Sequence, residues 1–340
     1  MVNSEVITHW DAKGFARPES PIADSSRGGI MGMFESILYV IEESGDRAQG
    51  VARAVDVAKR SGAALTILEV SPSGGGALVG VSPDQRMLAL EAMVAGIRDD
   101  LRIQLMVLNG TLFLEVIRAV LRDGHDLVMK VAENPGFLNR LFGSTDLHLL
   151  RKCPCPLWLM KSPVETGYER VMAAVDFDPD DPSAIDQELN RTILDLAGSV
   201  ALGEGASLHV VHAWDAYAEL SMRVVSDVPG DRITAHVQTQ QIRHEKGLNS
   251  LGEALRDRMG LEDYARVSPR FHLLKGSPRR MIAELADDLP VDLVVMGTVA
   301  RTGVPGLIIG NTAETILNQL SCSVLAVKPP GFETPVKLDS

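Results

Sequence analysis

Cysteine is scarce: three residues, Cys153, Cys155 and Cys322, in a chain of 340 cannot build a disulfide framework, so a reducing compartment is expected. Aromatic residues make up only 4%, which leaves Val, Ile, Leu, Ala and Met to fill any core. No apolar run reaches the length of a membrane span. Asp11 and Glu19 stand where a signal peptide would need an uncharged apolar stretch. Basic side chains number 33 against 45 acidic ones, and the formal charge of −12 argues against a general nucleic-acid binder. The phosphate loop GxxxxGK(S/T), the zinc motif HExxH and the nucleophile elbow GxSxG are all missing. These absences predict a cytoplasmic protein with no membrane or nucleic-acid partner. With 45% hydrophobic and 23% charged residues, the chain can form a packed core, and its length suggests two domains.

The chain also repeats itself. Cys155-Pro-Leu-Trp-Leu-Met-Lys161 matches Cys322-Ser-Val-Leu-Ala-Val-Lys328, and a glycine, Gly143 or Gly310, stands 12 residues before each cysteine. Further upstream, Asp126-Leu-Val-Met-Lys130 matches Asp292-Leu-Val-Val-Met296, and Val107-Leu-Asn-Gly110 matches Leu273-Leu-Lys-Gly276. Each half opens on a β-rich run, Ser36–Glu42 and Arg170–Asp176. Between these strands the period is helical: Ala48, Val51, Ala52, Val55 and Ala58 share one face, as do Ile185, Leu189, Leu196 and Val200. Ser277-Pro278 reads as a helix start, with Met281, Ile282 and Leu285 turned inward. Strands alternating with helices predict βαβ crossovers and parallel sheets covered on both faces. The predicted division is a disordered extension over 1–32, a domain over 33–161, a linker over 162–168, a second domain over 169–330 and a tail over 331–340. Ser71 to Gly80 is expected to be a glycine-rich loop.

In a doubly wound sheet, ligands sit beyond the carboxyl ends of the strands, where the strand order reverses. After the strand Leu293–Met296 come Gly297, Gly303, Gly306 and then Gly310-Asn-Thr-Ala-Glu314. Small residues let the backbone approach an anion, and a helix start offers N–H groups to it. The same glycines would also serve as plain turns between strand and helix. Asn311 and Glu314 have the spacing of a capping box. Elsewhere the signals are weaker. Cys153-Pro-Cys155 lacks a second ligand pair at zinc spacing and reads as a buried or partly exposed thiol pair. His209 and His212 should lie on opposite faces of one strand, one packed and one facing polar surroundings. Arg279-Arg280 could meet an anion, although adjacent arginines at a helix start are commonly solvated.

Residues 33 to 335 resemble tandem universal stress proteins, the E-type subfamily with two fused domains. That resemblance implies two tandem doubly wound α/β domains with parallel five-stranded sheets. Nucleotide-binding members carry glycine, two residues, glycine, nine residues, glycine and then Ser or Thr. Gly297 and Gly310 keep the outer spacing, Ala300 replaces the middle glycine, and Asn311 then Thr312 take the hydroxyl position. Asp176, following Val175, falls where the family holds the ribose, and Arg301 where it places a basic residue near phosphates. The resemblance thus implies ATP or a related adenine nucleotide held by Val175, Asp176, Gly297, Ala300, Arg301, Gly310, Asn311 and Thr312. In the first half Val131 and Asn134 replace the glycines, Glu42 replaces Asp176, and Glu133 adds negative charge. Only Gly143-Ser144 survives, so that half reads as a degenerate partner.

The resulting expectation is stress response through ligand or partner binding, without catalysis, involving a protein partner the sequence does not name. The alternatives are a slow nucleotide hydrolase and a scaffold lacking any nucleotide site. No general base is identifiable for the hydrolase, because Asp176 would be engaged by ribose and a guanidinium stays protonated. Family resemblance further implies that the last strands, Leu157–Lys161 and Val324–Lys328, pair across an internal pseudo-dimer axis, with homodimerisation of whole chains left open.

Overall fold

The computed structural model describes residues 6–10, 33–42, 47–72, 82–97, 101–133, 143–161, 167–180, 184–215, 229–298 and 309–338. The first half supplies five parallel strands: β2 (Ser36–Ile41), β3 (Ala64–Ser71), β4 (Ile103–Asn109), β5 (Leu127–Val131) and β6 (Leu157–Met160). The second half repeats them as β7 (Arg170–Ala174), β8 (Ser207–Trp214), β9 (Arg270–Lys275), β10 (Leu293–Gly297) and β11 (Ser323–Val327). The inner strands are buried almost throughout, as expected where helices cover both faces, whereas the edge strand β9 has no fully buried residue. The repeated aspartates do the same work in each half. Asp126 accepts hydrogen bonds from the N–H groups of Glu35 and Ser36, and Asp292 from those of Glu169 and Arg170, tying the fourth strand of each half to the entry of its first.

One continuous sheet results, in the order β1-β4-β3-β2-β5-β6-β11-β10-β7-β8-β9, where β1 is Val6–Trp10. The expected pairing of last strands is its centre: β6 and β11 run antiparallel, with Leu159, Trp158 and Leu157 opposite Val324, Leu325 and Ala326. Each half keeps the order in which its first strand lies between its second and fourth, so the order reverses at β2/β5 and at β7/β10.

Helices α1 (Arg47–Ser61), α2 (Pro83–Val94), α5 (Ala184–Glu204), α6 (Gly230–Met259) and α7 (Leu261–Val267) pack on one face. Helices α3 (Leu112–Asp123), α4 (Ser144–Lys152), α8 (Pro278–Asp288) and α9 (Asn311–Leu317) cover the other. Both helix layers also bridge the two halves. Buried Arg53 of α1 pairs with Glu204 at the end of α5 at 2.8 Å and lies 4.6 Å from the centre of the Tyr168 ring. On the opposite face Arg151 of α4 meets Glu314 of α9 at 2.8 Å. Lys328, just past β11, donates to the Leu150 carbonyl at the end of α4 and to Thr298 Oγ1. Cys153 and Cys155 form a buried thiol pair beside this seam, their sulfurs 3.7 Å apart.

Three local expectations need correction. Val6–Trp10, placed within a disordered extension, forms strand β1, antiparallel to β4 from Val6 opposite Val107 to Trp10 opposite Ile103. The edge of β4 offers a row of backbone groups, and a β-branched run such as Val-Ile-Thr suits it. The rest of 1–32, and most of the Ser71–Gly80 loop, lies outside the described residues. On α1, Ala48 and Ala52 are exposed, while Val51, Ala54, Val55, Val57 and Ala58 are buried. The larger valines set the helix phase because they have more apolar area to hide. Asn311 is not a cap: Gly310 is the N-cap of α9, without a side-chain cap bond, and Glu314 is turned toward Arg151 instead.

Candidate functional site

The strand reversal at β7/β10 opens into a cavity of about 860 Å³. Val175 and Asp176 reach it from the end of β7, Met296 and Gly297 from β10, and Gly310, Asn311 and Thr312 from the start of α9. Six of the sequence-predicted residues are therefore brought together. Ala300 and Arg301 lie outside the described residues. Gly297 packs tightly, since a Cβ there would stand 3.0 Å from Leu189 Cδ2.

Sequence reasoning missed the residues that set the geometry. Asn190 of α5, buried, grips the Asp176 peptide from both sides: its Oδ1 accepts from Asp176 N–H at 3.0 Å and its Nδ2 donates to Asp176 O at 2.8 Å. This fixes the backbone of the strand exit while the Asp176 side chain stays exposed. Arg279, from the expected Arg-Arg pair at the start of α8, lines the cavity as its described cation. An asparagine nearly two helical turns inside α5 carries no motif, so only its neighbours in space reveal it.

A cluster of rings forms another wall. Phe177 stacks on His212 with ring centres 3.9 Å apart, and His244 of α6 stacks at 5.1 Å on both His212 and Trp214. Gly247, one turn beyond His244, makes room for this cluster, because a Cβ there would overlap the Phe177 ring. His212 Nδ1 lies 3.2 Å from the Val175 carbonyl and its Nε2 lies 2.9 Å from His244 Nδ1. Burial lowers the pKa of His244, opposed by the carboxylates of Asp178 and Asp180, so the ring is neutral near pH 7. His209 and His212 do face opposite sides of β8, but both are buried, each at 1% exposure, which corrects the expectation of one polar-facing ring. His209 satisfies its ring against Ser207 Oγ and against His272 on β9, 3.0 Å away.

The corresponding place in the first half is filled from within. Lys130, at Met296's position, is fully buried and pairs with Asp146 of α4 and with Glu42 Oε1 at 2.7 Å. Asp146 Oδ2 also accepts the N–H groups of Glu133 at 2.8 Å and Gly143 at 3.2 Å. The Glu133 side chain folds over Gly143, where a Cβ would fall on its carboxylate, and accepts the Thr145 N–H at 3.4 Å. Two resident carboxylates thus occupy the start of α4. Burial lowers and the two acids raise the Lys130 pKa, with a net rise; burial lifts Asp146 to about 6 even beside that ammonium. In the second half Ala313 stands at the position of Asp146, and among the described residues no side chain plays this part.

A model of the universal stress protein family matches residues 33–161 and again residues 167–328. The chain belongs to the universal stress protein family. It is 30% identical over 329 residues to Universal stress protein E of Escherichia coli K12, covering 91% of this chain and 98% of that one. Universal stress protein E of Salmonella typhi is equally similar, 30% over 326 residues. Among solved structures, a Pseudomonas aeruginosa PAO1 protein of unknown function shares the fold with a TM-score of 0.63 and 24% identity, covering 87% of this chain and 93% of that one. A universal stress protein from Archaeoglobus fulgidus overlays with a TM-score of 0.53 at 16% identity, over 86% and 98% of the two chains. This is a stress-response protein of tandem α/β domains, and among its described residues no helix is long and apolar enough to cross a membrane.

Proposed function

We propose that the second domain binds an adenine nucleotide, ATP or a close relative, and that the protein acts in the cytoplasm by ligand- or partner-dependent regulation without turnover. The observation that carries this reading is the contrast between the two strand reversals. One opens into a cavity of about 860 Å³ lined by Asp176, Gly297, Gly310, Asn311 and Thr312; the other is stopped by Asp146, Lys130 and Glu133. Cavities of several hundred Å³ with a few convergent polar groups are the usual form of small-molecule sites. Asp176, its peptide clamped by Asn190, would take the ribose hydroxyls. Gly297, Ala300, Arg301, Gly310, Asn311 and Thr312 would surround the phosphates, with Arg279 across the cavity as a further cation.

Calorimetric titration of the full chain with ATP, paired with a phosphate-release assay, tests this. One nucleotide bound per chain without release is the expected result. Release in step with binding would favour the hydrolase. No binding would overturn the nucleotide reading and leave a scaffold.

A further inference from the structure

The ring cluster in the second-domain cavity carries a proton arrangement that its partners dictate. A carbonyl oxygen only accepts, so the 3.2 Å contact to Val175 O makes His212 Nδ1 the protonated nitrogen. The neutral His212 ring then has a bare Nε2, which must accept at 2.9 Å from the Nδ1–H of His244. That leaves His244 Nε2 without a proton. This nitrogen has no hydrogen-bond partner among the described residues, and its half-buried ring lines the cavity between Trp214 and Phe177. A strand-exit peptide held in place by Asn190 thereby sets, through two histidines, the polarity of one cavity atom.

We propose that the Phe177–His212–His244–Trp214 wall is a base-reading surface in which His244 Nε2, as a hydrogen-bond acceptor, selects a purine bearing an exocyclic amine over its 6-keto counterpart. The proposal rests on the nucleotide reading above and deepens it. The flat rings offer a stacking face for any base, with no preference of their own. Discrimination comes from the acceptor, which meets an amine N–H favourably and faces a keto oxygen lone pair to lone pair. Protonation of His244 converts Nε2 from acceptor to donor, so the preference falls and reverses as pH drops. Burial holds the His244 proton affinity down and the carboxylates of Asp178 and Asp180 beyond β7 oppose it; Asp176 and Asp215 at the strand ends, His212 on β8 and Arg279 on α8 are the other titratable or charged groups lining this cavity. On its own helix, Arg243 is engaged at 2.7 Å by Asp180.

The test is calorimetric titration of the full chain with ATP and with ITP, which share a triphosphate and differ at the purine 6-position. Near pH 7.5, ATP should bind about tenfold more tightly than ITP, the scale of one mispaired hydrogen bond. The ratio should fall toward one and then below it as the pH is lowered through the His244 titration. His244→Gln, whose amide can present either a donor or an acceptor, should bind both nucleotides about equally and without the pH trend. Equal wild-type affinities near pH 7.5, or a preference unchanged by pH and by His244→Gln, would overturn the assignment while leaving nucleotide binding intact. Failure of both nucleotides to bind would overturn the nucleotide reading, and this inference with it.

Discussion

Replacing Lys130 by Met, the residue its counterpart Met296 already has, isolates the energetics of the filled first-half site. The substitution keeps the side-chain length but removes the ammonium that pairs with Asp146 and Glu42. Asp146 is fully buried, so its carboxylate cannot recover water, whereas Glu42 keeps 13% side-chain exposure and can partly rehydrate. Breaking one partner out of a buried ion pair typically costs about 3–5 kcal/mol, against a total stability of about 5–15 kcal/mol for a typical protein. Lys130→Met should therefore lower the urea midpoint severely. Lys130→Met/Asp146→Ala, which installs the Met296/Ala313 pair of the second half, should recover part of that loss, since the buried carboxylate leaves with the ammonium while the N–H groups of Glu133 and Gly143 lose their acceptor. The penalty also depends on pH. The Asp146 carboxyl, already lifted to about 6, rises further without Lys130, so the single variant suffers less under acid than at pH 8, where an unpaired carboxylate must be buried or protonated at a cost. Equilibrium unfolding of wild type, both single variants and the double at both pH values closes the cycle. A double variant no more stable than Lys130→Met would refute the reasoning, because the loss would then come from packing and not from an orphaned charge.

Asn190→Ala should weaken nucleotide binding about tenfold by releasing the Asp176 peptide, the scale of one or two lost hydrogen bonds, and Asn190→Asp, which turns a buried carboxylate oxygen toward the Asp176 carbonyl, should weaken it at least as much; calorimetry reads both. Burial depresses the His209 pKa from 6.5 to about 4, so this ring contributes full stability above pH 6.5 and loses it as pH falls through that window, by up to about 1.4 kcal/mol for each unit; a flatter acid limb in His209→Leu unfolding curves checks this, and an unchanged limb would contradict it. Separating the domains exposes the β11 edge, so the isolated second half should self-associate or lose stability; sedimentation and thermal melting would refute this if it proved a monomer as stable as the full chain.

The duplication, the alternation of strands and helices and the place where strand order reverses were legible in the sequence, because each rests on local periodicity or on a repeated string. Asp126 and Asp292 match as text and act alike in space. Gly297 and Gly310 could be picked out as small residues at a strand end and a helix start, whereas Asp176 was singled out only by the family resemblance. The sequence match also misled: Lys130 aligns with Met296 inside a repeated strand, and nothing adjacent marks it as a buried cation. Its partners come from the exit of β2 and the start of α4, and only the folded sheet brings them within reach. Asn190, His212 and His244 became a unit in the same way, through α5 packed at the exit of β7 and α6 packed beside β8. The edge of β4, open until the sheet exists, gave Val6–Trp10 a partner that a solitary strand lacks. Local pattern determined which elements form, whereas the polar groups that desolvate together were decided by packing, because a charge's cost depends on what surrounds it and not on what precedes it in the chain.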